Sequence, residues 1–115
     1  MGWIIFLVLI ALIVWRTKPA KGVRTVSSAE VKPLLKDKNK QFVDVRTPAE
    51  YKGGHVKEFK NIPLNDLPKK METLDPAKET YVICQSGMRS ARAASLLRKK
   101  GFTRVVNVKG GMSAW

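Results

Sequence analysis

Tyr81-Val82-Ile83-Cys84-Gln85-Ser86-Gly87-Met88-Arg89-Ser90 is the stretch that decides the fold. Its first residues form a short β-branched and aromatic run that reads as a buried strand. Gly87 then supplies a turn residue with no Cβ penalty, and Ser90 reads as an N-cap. Residues 92–100 are rich in helix formers, and Gly101 marks a stop. The chain's single cysteine therefore sits where a strand hands over to a helix N-terminus, with four residues between it and Arg89. Unpaired N–H groups and the positive helix end favour negative charge at such a place. A tight loop of successive amides has the same preference. A thiol held there beside a guanidinium ionises below its free value. A lone cysteine ending a core strand is more often an inert packing residue. Gly87 and Arg89, arriving in phase before a helix, favour the reactive reading.

The chain alternates strand and helix on both sides of this stretch. Residues 23–26 predict an edge strand, and Ser27-Ser28-Ala29-Glu30 is a capping-box pattern opening a helix to about residue 36. Residues 41–45 predict a buried strand. Thr47-Pro48-Ala49-Glu50 repeats the capping pattern with proline at the first helical position, and Gly53-Gly54 ends that helix. A short strand over 60–62, a helix over 66–71 delayed by Pro68, and strands over 80–83 and 104–108 complete the list. Short apolar strands alternating with helices predict an α/β domain, a parallel sheet covered on both faces. Ligands of such sheets bind beyond the carboxyl ends of the strands, where Asp44 and Cys84 both fall.

These residues resemble the rhodanese-like sulfurtransferases. The likeness begins with the loop from Cys84 to Ser90. It continues, in the family's order, through Asp44-Val45-Arg46, Glu50, Gly54-His55-Val56, Asn61-Ile62-Pro63 and Gly110-Gly111-Met112 to Trp115. It spans roughly residues 23–115. Four residues between Cys84 and Arg89 is the rhodanese spacing; phosphatases and arsenate reductases of related fold have a loop one residue longer. Ile83 also stands where many tyrosine phosphatases have histidine, and nothing aims a proton donor at the leaving group. Phosphatase is the weaker reading.

The resemblance implies a rhodanese-like fold and a sulfurtransferase with Cys84 as nucleophile and sulfur carrier. The donor would be thiosulfate or another small anionic persulfide source, the acceptor a thiol or cyanide. The amides of Gln85, Ser86, Gly87, Met88, Arg89 and Ser90 would stabilise the sulfur's charge, and Arg89 would orient the donor. Asp44 and Arg46, with Glu50 and His55, would form a supporting polar network. Trp115 would cap the core. No cofactor is implied, and one histidine with one cysteine gives no metal-binding cluster. The rival from another class is a rhodanese-like binding or sulfur-sensing module with little turnover. Two departures from the family pattern stand out. Glu58-Phe59 occupies positions where relatives often have Gly-Ala, and the chain stops at Trp115, where relatives usually continue.

Residues 3–15 form an unbroken run of thirteen apolar residues with a tryptophan at each end. As a helix its ends lie about 18 Å apart, short of a hydrocarbon core of about 30 Å. By length alone a signal-peptide core or a buried helix competes. However, no basic region precedes the run and no convincing cleavage site follows it. Arg16, Lys18, Lys21 and Arg24 come next, which favours a cytoplasmic downstream side. Tryptophans suit the interfacial belts, and snorkelling or local thinning absorbs part of the mismatch. The expected organisation is a transmembrane anchor over 1–16, a basic linker over 17–22, and a catalytic domain over 23–115. The protein would be single-pass in the cell membrane with that domain cytoplasmic.

Charge is less decisive. The chain carries 22 basic and 9 acidic side chains, a net +13. The lysines are scattered, without an RNA-binding motif or aromatic stripe, which argues against nucleic acid as a partner. Positive potential suits anionic lipid and anionic donors equally. The single cysteine excludes an internal disulfide and fits a reducing compartment.

Overall fold

The computed structural model describes residues 22–115. The expected anchor and nearly all of the linker lie outside them. No helix among the described residues is long and apolar enough to cross a membrane.

Five strands form one parallel sheet: β1 (Val23–Val26), β2 (Lys40–Asp44), β3 (Lys60–Asn61), β4 (Glu79–Ile83) and β5 (Val105–Val108), in the order β1-β5-β4-β2-β3. Every pairing among them is parallel. Helices α1 (Ser28–Val31), α2 (Pro48–Lys52), α3 (Leu67–Lys70) and α4 (Met88–Lys99) connect them, with short 3-10 turns after α1, before and after α3, and at residues 111–114. The sheet is apolar on both faces, as the patternless strand sequences require. On one face Val43, Val82 and Val105 pack with Leu67, Ala93, Ala94, Leu97 and Phe102. On the other, Phe42, Tyr81, Val106 and Val108 pack with Val31, Phe59 and Trp115.

The local capping chemistry follows the sequence closely. Ser27 caps α1 by accepting from the Glu30 N–H, and Thr47 and Glu50 complete a reciprocal capping box at α2. Helix lengths differ more. The first helix stops at Val31 and tightens into a 3-10 turn over Lys32–Leu34, because Pro33 has no N–H with which to continue the ladder. α3 is a single turn, entered through a 3-10 turn over Leu64–Asp66, with Pro68 inside its first turn.

Phe59, one of the departures from the family pattern, is fully buried and joins an aromatic cluster. Its ring lies 5.3 Å from Phe42 and meets Trp115 edge-on at 5.9 Å. Trp115 thus packs on this core, and Lys32 holds the end of the chain by donating to the Trp115 carbonyl at 2.8 Å. Glu58 points outward to pair with Lys36.

Candidate active site

The parallel sheet delivers β2 and β4 side by side, with Asp44 opposite Ile83, so their carboxyl ends open onto one place. Cys84 follows β4 directly. The chain then turns through Gln85 and Ser86 to Gly87, which adopts φ +106°, a left-handed conformation natural only to glycine. α4 begins at once, at Met88 and not at residue 92. Gly87 is therefore the N-cap, and Ser90, expected there, is the third residue of the helix. The left-handed glycine closes the loop in fewer residues than a serine cap with extended backbone needs. It also aims the first free amides of the helix back at the sulfur.

Cys84 is buried, while Ser86 and Met88 at the loop tip are exposed. The Gly87 N–H donates to Sγ at 2.9 Å, and Sγ lies 3.3 Å from the Ser90 hydroxyl. Burial pushes the thiol up. The Ser90 hydroxyl and the backbone N–H groups of Ser90, Gly87 and Ser86 more than offset this, and the thiol ends below its ordinary value. Hydrogen bonds to the charged form explain this shift. The Arg89 guanidinium is near enough for its own charged state to be favoured by Cys84, after the larger effect of Glu50.

Two carbonyls of the loop are held from behind. Met112 N–H donates to the Cys84 carbonyl at 2.8 Å and Ser113 N–H to the Gln85 carbonyl at 3.0 Å. Gly111 makes this approach possible, since a Cβ there would overlap the Cys84 carbonyl oxygen. In a trans peptide the N–H lies opposite the carbonyl, so turning the Gln85 carbonyl to the terminal segment leaves the Ser86 N–H on the sulfur side. Gln85 is fixed by its side chain as well, donating to Ser113 Oγ at 3.2 Å and accepting from Arg46 at 3.3 Å.

Asp44 and Arg46 are brought together beneath the loop. Arg46 grips both Asp44 oxygens, at 2.9 and 3.1 Å, and donates to the carbonyls of Glu50 and Gly54. Their connection to the loop runs through Gln85, a supporting position. His55 stacks on Tyr51 at 3.8 Å, and its Nδ1 lies 2.8 Å from the Tyr51 carbonyl. Arg89 forms a two-pronged pair with Glu50 at 2.6 and 2.9 Å. Arg89, followed by the Thr47 N–H, draws the Glu50 carboxyl down to about 2. The pair uses two of the guanidinium N–H groups and leaves the others outside it. A cleft of about 90 Å³ runs beside Arg89, lined by Val45, Thr47, Pro63, Leu64 and Asn65.

Two residues that hydrogen-bond to the loop escaped the sequence reading. Ser113 carries no motif. Asn107 does carry a signal, as the one polar residue of β5, on the same side as Val105. It meets Ser90 at 2.5 Å.

A parallel α/β domain with a hydrogen-bonded thiol cradled by a strand-to-helix loop is the class that these features define. The chain belongs to the rhodanese-like domain family, whose model matches residues 27–115. It is 44% identical over 75 residues to uncharacterized protein YqhL of Bacillus subtilis (strain 168), covering 65% of this chain and 60% of that one. Thiosulfate sulfurtransferase 18 of Arabidopsis thaliana is 37% identical over 110 residues, covering 84% and 80% of the two chains. The crystal structure of a rhodanese-like domain protein from Staphylococcus aureus superposes with a TM-score of 0.74 at 34% identity, covering 80% of this chain and 90% of that one.

Proposed function

We propose that this protein is a sulfurtransferase that carries sulfane sulfur on Cys84, taking it from thiosulfate or another anionic persulfide and passing it to a thiol or cyanide. The observation that carries the reading is the sulfur's cradle: one N–H at 2.9 Å, a hydroxyl at 3.3 Å, and a thiol drawn below its ordinary value beside Arg89. A buried thiolate depends on such donors, because water is excluded and an unpaired charge is costly. A Ser-His type base is not needed when the nucleophile is already ionised.

In the first half-reaction the Cys84 thiolate attacks the outer sulfur of thiosulfate. A bond forms between Sγ and that sulfur, the donor's S–S bond breaks, and sulfite leaves with the electron pair. In the second, an acceptor thiolate or cyanide attacks the outer sulfur, and the Cys84 thiolate is regenerated. The loop amides stabilise the anionic sulfur at each stage. Arg89, fixed by Glu50, turns its remaining N–H groups to the donor's oxygens. Names among the relatives support this direction, including thiosulfate sulfurtransferase 18 and the Sulfurtransferase of Allochromatium vinosum.

Residues 1–16 would anchor the enzyme in the cell membrane with the domain on the cytoplasmic side. The apolar run and the basic residues after it support that placement.

Steady-state transfer from thiosulfate to cyanide tests the chemistry. Cys84→Ser abolishes turnover, and a Cys84→Ser rate comparable with wild type would refute the assignment. The anchor is tested by fractionation. The full chain is expected to stay with membranes through carbonate extraction, and recovery in the supernatant would overturn it.

A further inference from the structure

Ser90 stands between the sulfur and a residue the mechanism has not used. Its hydroxyl has one proton and three neighbours able to take it: Asn107 Oδ1 at 2.5 Å, the Gly87 carbonyl at 3.0 Å, and Sγ at 3.3 Å. A hydroxyl donates once and accepts through two lone pairs. The short contact to Asn107 Oδ1 takes the proton, so Ser90 faces the sulfur with a lone pair. The chain then runs from the Cys84 S–H to Ser90 Oγ, and from the Ser90 O–H to Asn107 Oδ1. That order serves a neutral thiol.

Ionisation reverses the demand, because a thiolate only accepts. If Ser90 turned its proton to the sulfur with Asn107 unchanged, two acceptor oxygens would be left facing each other at 2.5 Å. The Asn107 amide resolves the conflict. A half-turn about its last side-chain bond would bring Nδ2–H to Ser90 Oγ and free the hydroxyl for the sulfur. Little opposes the turn. Nδ2 gives up a long 3.5 Å contact to the Gly87 carbonyl and Oδ1 takes its place, a weak acceptor–acceptor contact at that separation, while the carbonyl keeps the Ala91 N–H at 3.2 Å. Aspartate has no such second face.

We infer that Asn107 is a positioning residue of the reaction: through Ser90, its reversible amide matches the hydrogen-bond chain to the protonation state of the Cys84 sulfur. The inference rests on Cys84 as the nucleophile. Other charged groups around the sulfur are Arg89 on α4 with Glu50 on α2, and Asp44 at the end of β2 with Arg46 after it. β5 and the terminal turn bring Asn107 and Ser113 but no ionisable side chain within their hydrogen-bonded contacts to the loop. The charged pairs set a baseline that the Asn107 variants leave in place.

The test is the pH dependence of Cys84 alkylation by iodoacetamide, in the full chain held in detergent micelles. Asn107→Asp is expected to raise the midpoint by about one pH unit or more. In a Ser90→Ala background more than half of that shift should vanish, because the path through the hydroxyl is gone. An unchanged midpoint, or the same shift in both backgrounds, would overturn the inference; the latter is a plain charge effect. If Asn107→Asp does not fold, wild-type protein decides. The ¹⁵N-labelled side-chain amide of Asn107 should titrate with the Cys84 midpoint and lose that titration in Ser90→Ala. A flat response in wild type contradicts it. Neither measurement uses a sulfur donor, so an intact relay in a protein that never takes up sulfur would refute the proposed function alone.

Discussion

Two arginine–carboxylate pairs flank the active loop, and they differ in burial. Arg46 and Asp44 have side chains 4% and 0% exposed, whereas Arg89 and Glu50 are 36% and 32% exposed. Both pairs are two-pronged. The buried pair is surrounded by carbonyl acceptors, so the guanidinium is fully engaged and acts as a brace for the turn after β2. The half-exposed pair holds its arginine in one orientation while leaving N–H groups outside the pair. On the proposed reading, the same chemical pair makes scaffold when dry and a binding group when wet.

The largest expected effect comes from breaking the dry pair. Asp44→Ala leaves Arg46 buried without its counter-charge and should destabilise the protein by about 3–5 kcal/mol, read from urea unfolding. A loss below about 1 kcal/mol would show that Arg46 finds other partners and that burial is not what separates the two pairs.

Breaking the wet pair should act on function more than on stability. Glu50→Gln is expected to change stability by about 1 kcal/mol or less, and to raise KM for thiosulfate several-fold by loosening Arg89. Unaltered kinetics would mean that Glu50 does not position Arg89. Acid should sharpen the contrast. Glu50 is depressed from 4.5 to about 2, so its contribution to stability is present above pH 4.5 and is lost as the pH falls towards 2. In Glu50→Gln that part of the acid dependence should be missing from unfolding curves recorded between pH 5 and 2.

The fold was largely legible because its signals are local. Two serine and threonine caps, a left-handed Gly87 and short β-branched strands state the α/β alternation without tertiary information. Cys84, Arg89 and the loop amides were legible for the same reason, since strand, turn and helix N-terminus lie within ten residues. What escaped is long-range. Nothing near Asn107 or Ser113 in the chain announces that β5 and the terminal turn meet the loop. The start of α4 was misplaced because Gly87, read only as a turn residue, is itself the cap, and only the closure of the loop reveals that. Phe59 looked like an irregularity until Phe42 and Trp115 surrounded it.

Sulfur carriage by Cys84 is tested most directly by the intact mass of the protein after treatment with thiosulfate, with and without a reducing thiol. A gain of one sulfur atom is expected, reversed by the thiol and absent in Cys84→Ser. A folded protein that keeps its original mass, or gains sulfur equally in Cys84→Ser, would contradict it.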